Sequence, residues 1–285
     1  YDSNGDLSGH YDNQVDNYKQ DHFQFHWTEQ YNSSWSSSIG LNYTYGRGYY
    51  GEYNDLWATQ NIAFGDEVNF DYLQITPLVF GETTVDTTEN ISRKWLDNDF
   101  YVGTFSVNYD SNQTQAVFGG SYSKYDGAHF GNLIWAQYSS NAAPNHRFYE
   151  SDADKKDFNL YAKATQRLGT AWTVYADIQY RIVAYNSTGT VKGPEPIAID
   201  DTLSFFNPKA GITYRASEAS RLYLSYAKAQ REPNRSDYEN GTPKPESLND
   251  FEAGWRFKKE KVQLQANLYY MDYKNQLVLT GALDA

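Results

Sequence analysis

The sequence contains no cysteine and only one methionine in 285 residues. A disulfide framework and thiolate chemistry are therefore excluded, and the composition is compatible with export. No stretch approaches the ~20 consecutive apolar residues that a membrane helix needs. Basic residues are in the minority, 24 Lys and Arg against 36 Asp and Glu, giving a net charge of −12. A nucleic-acid surface would be basic, so nucleic acid is not expected as a partner. The opening Tyr1-Asp2-Ser3-Asn4 has neither the charged nor the apolar region of a signal peptide. Either a leader has been removed or the chain is an internal piece.

What the sequence does have is aromatic residues, 27 Tyr, 15 Phe and 7 Trp, set in two-residue alternation. In Val262–Tyr270, Val262, Leu264, Ala266, Leu268 and Tyr270 share one face, and Gln263, Gln265, Asn267 and Tyr269 share the other. Leu222, Leu224 and Tyr226 alternate with Tyr223, Ser225 and Ala227. Trp172, Val174, Ala176, Ile178 and Tyr180 alternate with Thr173, Asp177, Gln179 and Arg181. Successive side chains on a strand point to opposite sides, so each strand has one apolar and one polar wall. Charges keep to the polar wall, as they must if the other faces lipid, where Arg or Lys costs about 2–4 kcal/mol at mid-depth.

The pattern predicts about ten strands, near 16–30, 35–47, 95–109, 114–125, 155–168, 171–185, 203–215, 221–230, 247–257 and 262–279. Short turns at Asn32–Ser34, Asp110–Gln113, Gly169-Thr170, Ala216–Ser220 and Lys258–Lys261 alternate with long polar loops at 48–94, 126–154, 186–202 and 231–246. A transmembrane antiparallel up-and-down β-barrel sorts its connections this way, with short periplasmic turns and long outer loops. Trp35, Tyr45, Trp172 and Trp255, near strand ends, suit membrane-interface belts.

Three segments carry a family likeness. They are Arg231-Glu232-Pro233-Asn234-Arg235-Ser236-Asp237-Tyr238, then Pro243-Lys244-Pro245-Glu246-Ser247-Leu248-Asn249-Asp250-Phe251-Glu252-Ala253-Gly254-Trp255, then Asn267-Leu268-Tyr269-Tyr270-Met271-Asp272-Tyr273-Lys274-Asn275-Gln276-Leu277. In this order they resemble the C-terminal half of TonB-dependent outer-membrane receptors, of the Bacteroides type. Tyr45-Gly46-Arg47-Gly48-Tyr49-Tyr50-Gly51-Glu52-Tyr53 and Lys94-Trp95-Leu96-Asp97-Asn98-Asp99-Phe100-Tyr101 are similar to the family as well. Such receptors carry a plug domain, a TonB-contacting box and a 22-stranded barrel. The first two are not visible here, and about ten strands cannot line such a barrel. Residues 1–285 are therefore expected to form part of one β-barrel domain, its middle to late strands, with plug and TonB box outside this chain.

The resemblance implies a receptor and transporter in the outer membrane of a Gram-negative bacterium. It takes up a scarce ligand, a ferric siderophore or similar metal complex foremost, through its own plug domain and TonB. Outer-membrane lipid and a surface lipoprotein are further implied partners; no cofactor and no bond-making chemistry are implied. A passive diffusion channel is the first alternative, and a secreted glycan-binding or adhesin β-sandwich the second.

Candidate ligand contacts fall in the outer loops. His129, Trp135, Tyr138 and His146 combine imidazoles with aromatic rings, which suits a metal complex. Arg231 and Arg235 could clamp an anion, since guanidinium pairs bidentately with carboxylates. Each also has a structural explanation: the first four as loop packing, the arginines with Glu232 and Asp237 as an internal charge network. Trp57, Phe64, Tyr72 and Phe80 are further loop aromatics that stacking or self-packing explains equally. His22 and His26 share a strand face but lie roughly 13 Å apart at ~3.3 Å per residue, too far to grip one ion. Asp99, Asp177 and Glu252 sit on separate strands and form no catalytic constellation. No metal site and no enzyme activity are expected.

Overall fold

A computed structural model describes residues 12, 14–57, 66–239 and 241–276. Ten strands form one antiparallel sheet in strict up-and-down order. They are β1 (Val15–Gln30), β2 (Trp35–Asn54), β5 (Asn90–Asp110), β6 (Thr114–Ala136), β7 (His146–Leu168), β8 (Trp172–Val191), β9 (Glu195–Arg215), β10 (Ser220–Arg231), β11 (Glu246–Lys259) and β12 (Val262–Lys274). A small hairpin, β3 (Leu78–Phe80) with β4 (Thr83–Val85), stands in the β2–β5 connection. One short helix, α1 (Arg235–Glu239), follows β10. Among the described residues no helix is long and apolar enough to cross a membrane. A strand can cross as well, where ladder bonds to its neighbours satisfy its peptide groups.

Register places one apolar stripe across all ten strands. Phe25, Leu41, Gly103, Tyr122, Phe158 and Ile182 are consecutive cross-strand partners on the outer face. Leu224 faces Ile212 on one side and Ala253 on the other, and Ala253 faces Leu268. Leu224 and Leu268 are 58% and 77% exposed, as a lipid-facing wall must be. Aromatic rings bound the stripe on both sides. On the turn side Trp35 packs on Tyr109 at 4.8 Å and Trp172 on Tyr214 at 4.4 Å. On the loop side Tyr43 packs on Tyr101 and Tyr226 on Phe251, each at 4.9 Å. The pairs Trp35/Tyr43, Tyr101/Tyr109, Trp172/Tyr180 and Phe206/Tyr214 each span eight residues. That is about 26 Å along a strand, the height of a hydrocarbon band. Tyr45 lies one pleat above the loop-side girdle, opposite Asp99, rather than in it.

The opposite face is polar. Ser38 and Ser106 share a 2.9 Å hydrogen bond, and Asn207 donates to Gln179 at 3.0 Å. His22 Nδ1 meets Thr44 Oγ1 at 3.0 Å, which accounts for it without an ion. Among the described residues the only other sheet is the two-stranded hairpin β3–β4, too small to cover the apolar face, so the β-sandwich alternative is set aside.

Turn chemistry explains the near side. Asn32 Oδ1 accepts from the Ser34 and Trp35 amides, and Gly169 supplies φ +63° between β7 and β8. The expected strand ends on this side hold within a few residues. On the other side they do not. The segments read as long loops at 126–154 and 186–202 are mostly strand, since β6 and β7 reach Ala136 and His146 and β8 and β9 are joined through residues 192–194 alone. Residues 48–54, 90–94 and 231 are likewise strand. What alternates is protrusion, not irregular length. β6 and β7 have 23 residues each, about 75 Å, some three times the apolar band. Beyond the girdle neither face meets lipid, so the apolar alternation that marks the membrane band fades while ladder pairing continues. The end of the segment expected at 262–279 lies outside the described residues, as does Phe64.

Candidate functional site

Above the loop-side girdle the chain builds its own core. Phe70, Tyr72, Leu73, Ile75, Leu133 and Phe148 form a buried cluster that joins the β2–β5 connection to β6 and β7. Val191, Ile197 and Ile199 form a second, with Tyr185 and Tyr238 against it. These clusters set the posture of the connections over the polar face.

The β10–β11 connection is tied to the inner face by a network of charges. Its Glu232 carboxylate accepts from Lys155 Nζ at 2.9 Å and from Arg181 Nη2 at 3.2 Å. Arg181 also grips Asp157 through Nε at 2.9 Å. Pro233 is buried, and Asn234 caps α1, its Oδ1 accepting from the Asp237 amide at 3.0 Å. From α1, Arg235 reaches Ser151 Oγ of β7 at 3.2 Å and Glu239 at 3.3 Å, while the Tyr238 hydroxyl donates to Asp201 of β9 at 2.8 Å. Burial and that carboxylate push the Tyr238 phenol well above its usual pKa. The connection is thus pinned across β7, β8 and β9 by charge-assisted bonds, the stronger kind.

Arg235 stands among rings. Tyr125 and His129 of β6, Tyr149 of β7 and Tyr185 of β8 are all within reach of its charge. The Tyr125 hydroxyl lies 3.3 Å from His129 Nε2. His129 sits on the part of β6 that projects past the girdle, outside the bilayer. Burial first, and Arg235 second, hold its pKa below the ordinary value, so the ring is neutral at pH 7. One cation, a neutral imidazole and several phenols can accept an anionic, aromatic or metal-chelating guest through hydrogen bonds and stacking. Among the described residues no group of acidic, His or Cys side chains is arranged to hold a bare metal ion.

Of the six residues singled out from sequence, Arg235 sits on the pinned connection and His129 lies within the reach of its charge. The other four lie elsewhere. The His146 ring donates to the Leu73 carbonyl at 3.0 Å and the Tyr138 amide to Thr88 Oγ1 at 2.9 Å. Trp135 pairs with Ile91 near the end of β6 and is 46% exposed. Arg231 closes β10 with an ion pair to Glu246 at 3.5 Å. Tyr72 belongs to the loop core, and Phe80 is exposed on the small hairpin. Sequence reasoning placed Arg181 on the polar wall without assigning it to the site, and missed Tyr125, Tyr149, Ser151, Lys155 and Tyr185. All six face inward, and the parity of their own strands, continued past the girdle, would have found them.

A single twisted sheet with a girdled lipid face, a polar face and projecting outer connections is the wall of a transmembrane β-barrel of the outer-membrane type. The sequence matches the family model described as "TonB dependent receptor-like, beta-barrel" over residues 1–285, and the chain belongs to that family. Members are receptors and transporters of the Gram-negative outer membrane rather than enzymes. Solved structures agree on the fold. The ferric-catecholate import receptor Fiu of E. coli K12 superposes with TM-score 0.59 at 15% identity, over 94% of this chain and 42% of its own. The copper transporter OprC gives 0.64 at 10% identity, over 89% and 38%. The siderophore receptor PiuA of Acinetobacter baumannii gives 0.57 at 12%, over 90% and 40%. The chain thus spans about two fifths of the length of these receptors. The sequence matches none of the curated proteins.

Proposed function

We propose that this chain is part of the barrel wall and outer connections of an outer-membrane receptor that takes up a ferric siderophore or similar metal complex, energised by TonB through a plug domain. The arrangement that carries the reading is the β10–β11 connection pinned across β7–β9, which sets the Arg235 charge within reach of His129 and the Tyr125, Tyr149 and Tyr185 phenols. An anionic chelate presents the charge and the flat π surfaces that such a set receives. The proteins it resembles in fold include ones named for ferric-catecholate import and as a siderophore receptor. The two outer strands, 16 and 13 residues long, pair with nothing on one edge among the described residues. Edges of that length are closed by further strands in a barrel, which supports a larger parent and, with it, a plug against the polar face.

The test is iron uptake by cells whose only receptor is the full-length parent, supplied with a ferric catecholate complex. Arg235→Ala is expected to raise the half-saturating concentration about tenfold, the loss of one charge-assisted contact, with barrel assembly unchanged. Deleting TonB should abolish uptake. Unsaturable uptake that persists without TonB would instead establish the passive channel.

A further inference from the structure

Cations of the inner wall are treated differently at its two ends. On the loop side they are matched by carboxylates. Lys94 meets Glu52 at 2.6 Å, Lys155 meets Glu232 at 2.9 Å, and Arg181 meets both Asp157 and Glu232. On the turn side they are not. Arg215, Arg221 and Arg256 are consecutive cross-strand partners on β9, β10 and β11, all on the inner face. Like charges directly opposite one another destabilise a sheet, so stability does not call for this row. Among the described residues Arg221 and Arg256 are in no ion pair, and Arg215 has Glu218 alone, at 3.6 Å. The Glu218 side chain is 96% exposed on the β9–β10 turn, where a pair contributes little.

Beside the row the wall is hollow. A cavity of about 850 Å³ is lined by Arg167, Arg215 and Arg221, with Gln115, Thr173 and Thr213 between them, and by no Asp or Glu. Its size is that of a small-molecule site, roughly 300–1,000 Å³. The inward carboxylates on the turn-side halves of these strands, Asp110, Asp177 and Glu252, all lie outside it. Arg167 spends one donor on the Asn112 carbonyl at 3.5 Å. A guanidinium has five, so the hollow is rich in free donors and positive charge and poor in anything to receive them.

The hollow stands on the strands that carry the outer site. Ser151, which Arg235 touches, and Arg167 are both inward residues of β7, sixteen positions apart, or about 53 Å. Between them Lys163, Asp177 and Lys209 form one cross-strand row, two cations to one carboxylate. We infer that the hollow is a second anion site at the inner, periplasmic mouth, which holds an anionic metal complex through its carboxylate or phenolate oxygens as it leaves the lumen. The identity of that occupant rests on the receptor reading proposed above; the anion site itself does not.

Isothermal titration of the full-length parent in detergent at low salt tests the site, with the trianionic gallium tris-catecholate complex as probe. The wild type is expected to bind one equivalent that added salt weakens, as exposed cations require. Arg167→Gln, Arg215→Gln and Arg221→Gln together should weaken that equivalent at least tenfold, and Arg235→Ala should leave it unchanged. In cells supplied with the ferric complex, the triple variant should lower the maximal uptake rate about tenfold at an unchanged half-saturating concentration. Lys259→Gln with Lys261→Gln, which removes charge from the neighbouring turn, should alter neither measurement. Heat-modified gel mobility reports that each variant barrel is folded. Equal affinity of the wild type and the triple variant overturns the proposal, and so does an unchanged maximal rate. A triple variant that binds the probe normally but exposes its plug to protease would assign the arginines to an acidic plug face instead, and overturns it too. A wild type that takes up no complex yet keeps the salt-sensitive equivalent, lost in the triple variant, would sink the receptor reading and leave the anion site standing.

Discussion

The turn-side and loop-side halves of the same strands are built on opposite plans. On the turn side the large apolar residues are exposed, Leu224, Leu264 and Ile178 among them, and the stripe is held by the contrast between lipid and lumen. On the loop side lie the fully enclosed Phe70, Leu73 and Phe148, gathered where connections meet strand ends. The protein therefore keeps its conventional core outside the bilayer. The membrane half needs only the right face outward, whereas the outer half needs specific neighbours, and that is where a shaped site can be held.

If the halves are separable, emptying the outer core should spare the barrel. Phe70 is 1% exposed and touches the cluster from the β2–β5 connection. Phe70→Ala is expected to cost about 3–5 kcal/mol, spent locally. Limited proteolysis should cut within residues 66–89 while heat-modified gel mobility stays that of a folded barrel. Loss of the folded band would show the halves to be one cooperative unit.

The converse variants act on the membrane half. Leu224→Arg and Leu264→Arg put a charge on the lipid face, at a cost of about 2–4 kcal/mol near mid-depth and less toward the girdle. Each should reduce the amount of assembled protein in the outer-membrane fraction. Gln265→Arg, one residue from Leu264 on the polar face, should assemble normally. Identical behaviour of all three would reverse the assignment of faces.

The same contrast decides what could be read in the chain. All ten long strands were visible, and their turn-side ends well placed, because two solvents impose alternation on Trp172–Tyr180 or Val262–Tyr270. Residues 146–154 and 186–202 have no lipid on either side; their buried residues, Phe148, Val191, Ile197 and Ile199 among them, are covered by connections distant in sequence, so the strands read as loops. The site suffered likewise. Arg235 and His129 were recognisable as residue types, but their meeting depends on α1 lying back against Ser151, a contact made by folding and not by spacing. His146 and Tyr138 looked equally suitable, and they are engaged in holding loop backbone at Leu73 and Thr88.

Two glycines, one in each half, sharpen the comparison furthest. Gly169 closes the β7–β8 turn at φ +63°, and Gly193 closes the β8–β9 turn at φ +78°. Both conformations disfavour a side chain by about 1–2 kcal/mol. They differ in surroundings. A Cβ on Gly169 meets nothing within 4 Å, while one on Gly193 would lie 2.4 Å from the Tyr72 carbonyl. Gly169→Ala should therefore carry the backbone cost alone, confined to its turn. Gly193→Ala adds a clash that must push the β8–β9 hairpin off the β2–β5 connection. Hydrogen exchange should then quicken at residues 70–75 as well as in the turn itself. Exchange that quickens only in the turn, to the same degree for both variants, would mean that the outer hairpins stand independently and that the loop core does not unite them.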